Sequence, residues 1–426
     1  MLQLTSLLGL VVFLALAWAM SEKRRLFPWR AVLWGLGLQA GLALLLLKTA
    51  TGRHVFELAN QAITGLVRFA GQGSEFVFGP LALDSPMARV FPERPLVLAI
   101  LLTSTIILVS ALSSLLYHWG VLQRVVHAIA WVMRQAMGTS GSETLSAAAN
   151  IFMGQTEAPL LIKPYLPRMT RSELLCVMTG GMATIAGGVA AIYSKLCADA
   201  GYPDMAGHLL TASVMNAPAA LLIAKILLPE TEASETAGRA PVDPPRSTTN
   251  SVDALCRGVS EGMMLALNVV AMLIAFVAVV ALANHVLTWP QEVLARARGM
   301  GHQSFAPVTL QMLFGWVNAP FAWLMGVPWS DCVKIGQALG ERIVLNEFFG
   351  YLTLTESAEA LAPRSFVLGT YALCGFANFA SVAIQVGGIG SLVPERRADL
   401  ARFGLRAMIG GLLAAYLTTC VVGVLT

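Results

Sequence analysis

Apolar residues recur along the chain in runs of about twenty, the length that an α-helix needs to cross a hydrocarbon layer about 30 Å thick. We therefore predict an all-α polytopic membrane protein with eight transmembrane helices. The predicted spans are Leu4–Met20, Ala31–Leu47, Leu96–Leu116, Leu174–Leu196, Leu209–Leu228, Leu265–Leu287, Ser365–Ile389 and Leu405–Leu425.

Two other apolar segments are interrupted by polar residues at their centres. Ser142–Pro164 contains Gly154-Gln155-Thr156-Glu157-Ala158-Pro159, and Asp331–Tyr351 is centred on Leu345-Asn346-Glu347-Phe348. Proline removes a backbone hydrogen bond and glycine weakens a helix interior, so one straight helix is disfavoured in the first segment. Two half-helices of roughly ten residues would reach the bilayer centre and return. We predict that both segments are re-entrant hairpins.

The two halves of the chain follow the same plan. Each half contains a clean helix, an amphipathic interfacial stretch, an interrupted segment, a Gly-broken helix and a final clean helix. Counting the spans makes the first interrupted segment enter from one side and the second from the other. The sequence thus predicts an inverted structural repeat with interfacial helices, a pattern that is typical of transporters.

The composition supports a membrane location. Hydrophobic residues make up 56% of the 426 residues and charged residues only 12%, whereas soluble domains carry about 25% charged residues. A water-facing surface cannot be built from so few charges, and a net charge of +4 is too small to suggest nucleic acid as a partner. The six cysteines show no paired C-x-x-C spacing and are interpreted as small packing residues.

Basic residues predict the orientation of the chain. Lys23, Arg24 and Arg25 directly follow the first apolar run and no basic residue precedes it, so we interpret this run as a membrane span rather than a cleaved signal. With the N-terminus outside, the positive-inside rule places the basic loops in the cytoplasm. These loops are 23–30, 163–171, 229–257 and 395–406.

Glu157 and Glu347 are the most informative residues, because each places a carboxylate near the middle of the membrane. Such a placement costs at least about 2.5–3.5 kcal/mol on insertion scales, so residues of this kind are by default hypotheses for a functional site. The structural alternatives are a protonated contact between helices, or ion pairs of Glu157 with Lys163 and of Glu347 with Arg342. One carboxylate in each half, each beside amides and hydroxyls, favours a shared polar site.

The residues around the two carboxylates indicate which ligand would suit the site. Two carboxylates would repel an anion, but they would hold a cation or accept hydrogen bonds from neighbouring sugar hydroxyls. The amides of Gln155 and Asn378 match the C=O and N–H edge of a nucleobase. Phe376 and Val189 offer apolar faces for a planar ring.

Neutral oxygens in the same segments are compatible with a Na+ site. Asn150 and Thr184 offer such oxygens, and broken helices expose carbonyls that bind Na+, although Asn and Thr also commonly join membrane helices. Two rival functions stay open. A passive channel would also have polar re-entrant tips, and a membrane hydrolase would use paired carboxylates. The repeated broken helices favour alternating access.

Four motifs in order resemble the concentrative nucleoside transporter family, and the matching layout covers nearly the whole chain. They are Gly154-Gln155-Thr156-Glu157-Ala158-Pro159-Leu160-Leu161, Met178-Thr179-Gly180-Gly181-Met182-Ala183-Thr184-Ile185-Ala186-Gly187, Val344-Leu345-Asn346-Glu347-Phe348 and Thr370-Tyr371-Ala372-Leu373-Cys374-Gly375-Phe376-Ala377-Asn378-Phe379. The resemblance implies a Na+-coupled symporter that imports uridine-like nucleosides across the inner membrane of a bacterium. It also implies a homotrimer in the lipid bilayer, elevator-type alternating access, periplasmic chain ends, and no cofactor besides Na+ as the coupling ion.

The resemblance implies a role for each site residue by motif position. The substrate-binding set comprises Gln155, Thr156 and Glu157 for the base and nearby ribose, Val189 against the ring, Glu347, Asn378 and Ser381 for the ribose hydroxyls, and Phe376 lining the pocket. Na+ would lie between Asn150, the Met153 carbonyl, Thr184 and the Ile185 carbonyl.

The sequence departs from the family pattern at two places. Gly188 stands where many relatives have serine, and Phe349-Gly350 replaces the more usual Val-Ala. These departures leave the preference for purine or pyrimidine open. Some relatives couple to protons, so a proton-coupled nucleoside symporter is the alternative to Na+ coupling, and a membrane-embedded nucleoside or glycosyl hydrolase is the alternative from another class.

The resemblance also suggests how the chain is divided between a scaffold and a moving transport domain. The predicted parts are 1–50 for scaffold helices 1 and 2, 51–95 for interfacial helices, 96–118 for scaffold helix 3, 119–228 for the first transport-domain half, 229–258 for a cytoplasmic loop, 259–287 for scaffold helix 6 and 288–426 for the second transport-domain half.

Overall fold

The computed structural model describes residues 2–82, 97–238, 248–297 and 307–426, and within these ranges every regular element is helical. The predicted all-α membrane fold is therefore confirmed. Its first half contains α1 Leu2–Ala19, α2 Trp29–Lys48, α3 Ala50–Phe78, α4 Leu98–His118, α5 Val121–Met137, α6 Gly141–Ala149, α7 Arg171–Ala183, α8 Gly187–Asp199 and α9 Met205–Leu227. The second half contains α10 Ser251–Ala297, α11 Leu310–Leu324, α12 Trp329–Val344, α13 Glu347–Glu356, α14 Pro363–Leu373, α15 Phe379–Leu392 and α16 Arg397–Leu425.

Seven helices or joined helices in the described ranges are long and apolar enough to cross a membrane. One of the seven is the joined pair α7 and α8, Arg171–Asp199. Helices α11 and α12 meet at an angle of 119°, and an eighth span results only if this bent pair is counted as one. The segment at 365–389, predicted as a Gly-broken helix, is divided between α14 and α15, each too short to cross alone.

The first hairpin differs from its prediction in one arm. Its entering arm is the nine-residue helix α6, but its return arm consists of short 3₁₀ turns at Ala158–Ile162 and Leu166–Arg168 rather than a half-helix of ten residues. Pro159, Pro164 and Pro167 remove backbone donors from this arm, so an α-helix cannot form there. The second hairpin has the two helical arms expected of it, α12 and α13.

The helices differ from the predicted ranges at two places. The described part of 51–95 forms one long helix, α3, and a 3₁₀ turn at Gly79–Ala82, rather than several interfacial helices. The first proline after Ala50 is Pro80, so nothing interrupts the helix earlier. The remainder of that stretch, 83–95, lies outside the described residues. Helix α10 is longer than the predicted scaffold helix at both ends.

The loops predicted to be cytoplasmic meet at one end of the bundle. Glu22, after α1, accepts a hydrogen bond from Arg406 in α16 and lies 3.6 Å from Arg171 at the start of α7. Lys23 Nζ donates to the Thr231 hydroxyl over 3.1 Å, which brings the loop after α9 to the same place. The basic loops therefore share one face of the molecule.

The chain ends and the start of the second hairpin lie at the opposite end. The Ser6 hydroxyl donates to the Met325 carbonyl over 3.0 Å, and Arg364 donates to the Gly423 carbonyl over 2.7 Å. The first hairpin begins among the basic loops, whereas the second begins beside these residues, at Asp331. The two hairpins enter the bundle from opposite ends, as an inverted repeat requires.

The long helices pack in two groups. Helices α4 and α10 lie against each other, and Gly258 and Gly262 of α10 approach so closely that an added Cβ would lie within 3 Å of α4 atoms. Helices α1 and α2 instead pack on α16 and α9, beside the broken helices. The assignment of α1 and α2 to the scaffold stays a prediction.

Candidate functional site

The tip of the second hairpin places Glu347 at the start of a helix. The Asn346 side chain caps α13 by accepting from Phe349 N over 3.3 Å, so Glu347 lies in the first turn, where the helix dipole favours a carboxylate. Glu347 is buried, and its two oxygens accept hydrogen bonds from the Tyr193 hydroxyl at 2.8 Å and from the Asn378 amide at 3.1 Å. This carboxylate is fixed by two side-chain donors.

A chain of hydrogen bonds joins this carboxylate to the first hairpin. The Asn378 side chain caps α15 by accepting from Ser381 N over 2.8 Å. The Ser381 hydroxyl in turn accepts from Gln155 Nε2 over 3.1 Å. Residues predicted from the two halves of the sequence are thus connected in one buried network, with α15 as the bridge.

Gln385 completes this network and was missed by the sequence reasoning. Its amide donates to Gln155 Oε1 over 3.1 Å and to the Met178 carbonyl over 3.0 Å. A Cβ at Gly181 would lie 2.7 Å from Gln385 Nε2 and 2.9 Å from Gln155 Cβ, so only glycine lets these two residues approach α7 this closely. The available signal was a polar residue one turn after Ser381 on the same helix face.

Asn216 was missed as well, although it joins the two broken helices. Its buried amide donates to the carbonyl oxygen of Ala183 over 2.7 Å and to that of Cys374 over 3.1 Å, the residues where α7 and α14 end. The breaks are in contact, because a Cβ at Gly375 would lie 2.6 Å from the Ala183 oxygen. Gly375 also has φ of +134°, which favours glycine.

Glu157 has a more open environment than Glu347. One of its oxygens accepts from Gly154 N over 3.1 Å at the hairpin tip. The side chain lines a cavity of about 490 Å³ together with Val189 and Met153, and α4 and α10 form the far wall. The cavity extends to Lys163, so it reaches the end of the bundle where the basic loops lie.

The four residues predicted to hold Na+ lie where α6 and α7 end. Asn150 ends α6, and its amide oxygen and nitrogen are buried without a hydrogen-bond partner. Asn150 lies against Gly180 of α7, and the Thr184 hydroxyl at the end of α7 donates to the Gly180 carbonyl over 3.0 Å. Helix C-termini carry partial negative charge, and an unsatisfied buried oxygen needs a partner. The residues present therefore fit a monovalent cation.

The other predicted residues have simpler surroundings. Thr156 packs on Gly388 of α15, and Phe376 is partly buried against the apolar core. Ile185 is buried directly after Thr184, and Met153 is partly buried at the cavity.

The ion pairs considered as structural alternatives for the two glutamates are not formed among the described residues. Glu157 accepts from backbone, Glu347 accepts from Tyr193 and Asn378, and Arg342 donates to the Ala372 carbonyl. No group of three or more His, Cys, Asp or Glu side chains in the described ranges is arranged to hold a metal ion. Two inverted hairpins, two broken helices and a buried polar network between them define the class of secondary transporters.

Comparison with known families agrees with this class. Residues 208–423 match the family described as Na+ dependent nucleoside transporter C-terminus, residues 8–81 its N-terminus, and residues 99–199 a family described as nucleoside recognition. An uncharacterized transporter of Haemophilus influenzae is 39% identical over 429 residues, which cover 99% of this chain and 97% of that protein. Sodium/nucleoside cotransporter 1 of Rattus norvegicus is also 39% identical, over 99% of this chain and 64% of its own length.

Solved structures show the same fold. CNTnw in an inward-facing substrate-bound state superposes with a TM-score of 0.89 at 36% identity, and covers 100% of this chain and 98% of its own. A CNTnw variant in an outward-facing state gives a TM-score of 0.90 at 35% identity, with the same coverage. The chain belongs to the Na+-dependent concentrative nucleoside transporter family, and its members are transporters rather than enzymes.

Proposed function

We propose that this protein imports nucleosides, with uridine as a representative substrate, and couples their entry to the inward Na+ gradient. The observation that carries the proposal is the hydrogen-bond chain from Glu347 through Asn378 and Ser381 to Gln155, which links both hairpins. Similar structures are described as inward-facing and outward-facing states of CNTnw, which supports alternating access here.

The ribose is assigned to the second hairpin and α15. A carboxylate that already accepts from a tyrosine hydroxyl and an amide has further lone pairs for sugar hydroxyls. Glu347, Asn378 and Ser381 would bind these hydroxyls, and Phe376 would line the pocket beside them. Burial strengthens such hydrogen bonds, because water does not compete for the same groups.

The base is assigned to the first hairpin. Gln155, Thr156 and Glu157 would face the base and the nearby ribose, with Val189 against the ring. In this structure each end of the Gln155 amide makes one hydrogen bond, to Ser381 and from Gln385. The second hydrogen of Nε2 and the second lone pair of Oε1 are still free for a base, so these two contacts would hold the amide in place while the base binds.

Na+ is assigned to the ends of α6 and α7. Asn150 Oδ1, the Thr184 hydroxyl, and the Met153 and Ile185 carbonyls would hold it, and their neutral oxygens suit a weakly bound monovalent ion. The unsatisfied Asn150 amide supports Na+ over the alternative of proton coupling, since a proton would need a titratable group at this place. When bound, Na+ would supply positive charge that fixes the hairpin tip beside the substrate.

The remaining parts of the proposal concern the assembly. We place the basic loops in the cytoplasm and both chain ends in the periplasm of a bacterial inner membrane, in accordance with the positive-inside rule. The 490 Å³ cavity would then open toward the cytoplasm. We further propose that the protein is a homotrimer. In each protomer the hairpins would move against α4 and α10 in an elevator-like manner, because these two helices form the wall opposite Glu157.

Uptake by proteoliposomes tests the coupling. Labelled uridine should accumulate above equilibrium when Na+ is imposed outside, and should not accumulate when choline replaces Na+ at constant pH. Accumulation driven only by an inward proton gradient would make the protein proton-coupled instead. Equilibration without accumulation would indicate a channel, and recovery of free base or free sugar would indicate a hydrolase. No uptake by folded protein under either gradient would refute the proposed function.

A further inference from the structure

A buried polar cluster lies at the far ends of the two helices that lead to the proposed Na+ site. We call it the Lys225 cluster, and it consists of the buried residues Ser142, Glu143, Glu173, Lys225 and Thr236 together with Glu230, which lies at its exposed edge. None of these residues lines the cavity beside Glu157 or belongs to the Glu347 network. Burying several charges is costly, so such a cluster needs an account of its own.

Lys225 of α9 holds the charges of the cluster together. Its ammonium lies 2.9 Å from Glu143 of α6 and 3.1 Å from Glu230, and the Lys225 and Glu143 side chains are only 8% and 1% exposed. Partial burial alone would raise the pKa of Glu230, but Lys225 and the Thr170 hydroxyl keep that pKa below its usual value. Both carboxylates are thus tied to one cation at the beginning of α6 and α7.

The segment 229–238 after α9 folds back and caps α6. Gly141 N donates to the Thr236 carbonyl over 3.0 Å, and Ser142 N donates to the Thr236 hydroxyl over 3.1 Å. These are among the first N–H groups of α6, which have no partner within the helix. The Ser234 hydroxyl donates to Glu173 over 2.6 Å, so the same segment is fastened to α7.

The two helices run side by side from this cluster to the proposed ion site. At their starts the Ser142 hydroxyl donates to Glu173 over 3.4 Å, and at their ends Asn150 lies against Gly180. Helix α6 has nine residues, so about 13 Å of rigid helix separates Thr236 from Asn150. A shift at the start of so short a helix must move its end, because close-packed interiors transmit strain.

We propose that Thr236 and the Lys225 cluster are positioning residues for Na+: they hold the starts of α6 and α7 so that Asn150 and Thr184 are presented at the correct separation. This inference rests on the proposed Na+ coupling. It assigns to the segment 229–238 a part in ion affinity, although none of its residues lies at the ion site.

The test compares Thr236→Val with Thr236→Ser, which retains the hydroxyl. The melting temperature of the purified protein is measured against NaCl concentration, with choline chloride keeping the ionic strength constant. Thr236→Val should need about fivefold more Na+ for half-maximal stabilisation, the ratio expected when one capping bond is lost. Thr236→Ser should match the wild type, and the uridine KM at saturating Na+ should change less than about twofold in either variant.

If Thr236→Val lowered the melting temperature in choline but left the Na+ midpoint unchanged, the cluster would be merely structural and the inference would be overturned. A wild-type protein that Na+ does not stabilise would overturn it as well. Should Thr236→Val not fold, Ser234→Ala replaces it, with an expected increase of about twofold in the Na+ midpoint. If Na+ stabilised the wild-type protein but drove no uptake, only the proposed function would be refuted. The inference about the Lys225 cluster would still be decided by the Na+ midpoints of the wild type and the variants.

Discussion

The two hairpin tips carry the same residue type in very different surroundings. Glu347 is buried, lies in the first turn of α13 and accepts from Tyr193 and Asn378. Glu157 is half-buried at a cavity wall, and among the described residues it accepts a hydrogen bond only from the backbone of its own tip, at Gly154. An inverted repeat thus provides one carboxylate that is fixed before the substrate arrives and one that solvent in the cavity reaches. Pre-organised groups contribute most to binding, so the two glutamates are expected to be unequal.

The largest effect is expected for Glu347→Gln. The amide retains the size of the side chain but loses the charge and turns one acceptor into a donor toward Tyr193 or Asn378, which leaves a buried polar group unpaired. We expect kcat/KM for uridine uptake to fall by about 100-fold, which corresponds to about 2.7 kcal/mol. Glu356→Gln is the matched control, because Glu356 is exposed on the same helix and should stay within about twofold of wild type. Uptake by Glu347→Gln within about threefold of wild type would contradict the assigned role.

A smaller effect is expected for Glu157→Gln. The amide oxygen can still accept from Gly154 N, and the cavity lets water solvate the rest of the side chain. We expect kcat/KM to fall by about tenfold, mainly through a higher KM for uridine. The control is Glu261→Gln, because Glu261 also lines the cavity but is exposed and paired with Arg257. If Glu157→Gln proved more damaging than Glu347→Gln, the proposed inequality would be reversed.

The sequence predicted those parts of the site in which a polar residue stands out from an apolar segment. Glu157, Glu347, Gln155 and Asn378 stand out in this way, and three of the four lie in one continuous buried network. Asn216 could not be assigned, because an asparagine within a membrane helix commonly joins neighbouring helices. Its partners, the carbonyls freed at the two breaks, exist only once the chain is folded.

The fold shows the same limit. Run length and inverted order predicted the helical architecture, because every backbone polar group in a bilayer must be paired internally. The return arm of the first hairpin was predicted as a helix although three prolines in nine residues, from Pro159 to Pro167, exclude one. That error was avoidable from the sequence. The packing of α1 and α2 on α16 and α9 could not be predicted from the sequence, because hydropathy gives no information about which apolar helices are neighbours.

The smallest of the three effects, and the sharpest test of pre-organisation, is expected for Tyr193→Phe. The substitution removes the hydroxyl that donates to Glu347 over 2.8 Å and leaves the ring, which stacks on Tyr351 with ring centroids 4.2 Å apart. The packing should therefore be retained while the carboxylate loses one of its two donors. A typical hydrogen bond contributes about 1 kcal/mol, and the Asn378 amide still donates to the carboxylate, so we expect kcat/KM for uridine to fall about fivefold. In the Glu347→Gln background the same change should have less than about a twofold effect, because the two residues act as one unit. Equal effects in both backgrounds would mean that Tyr193 acts on transport without Glu347, and the difference between the hairpin tips would then need another cause.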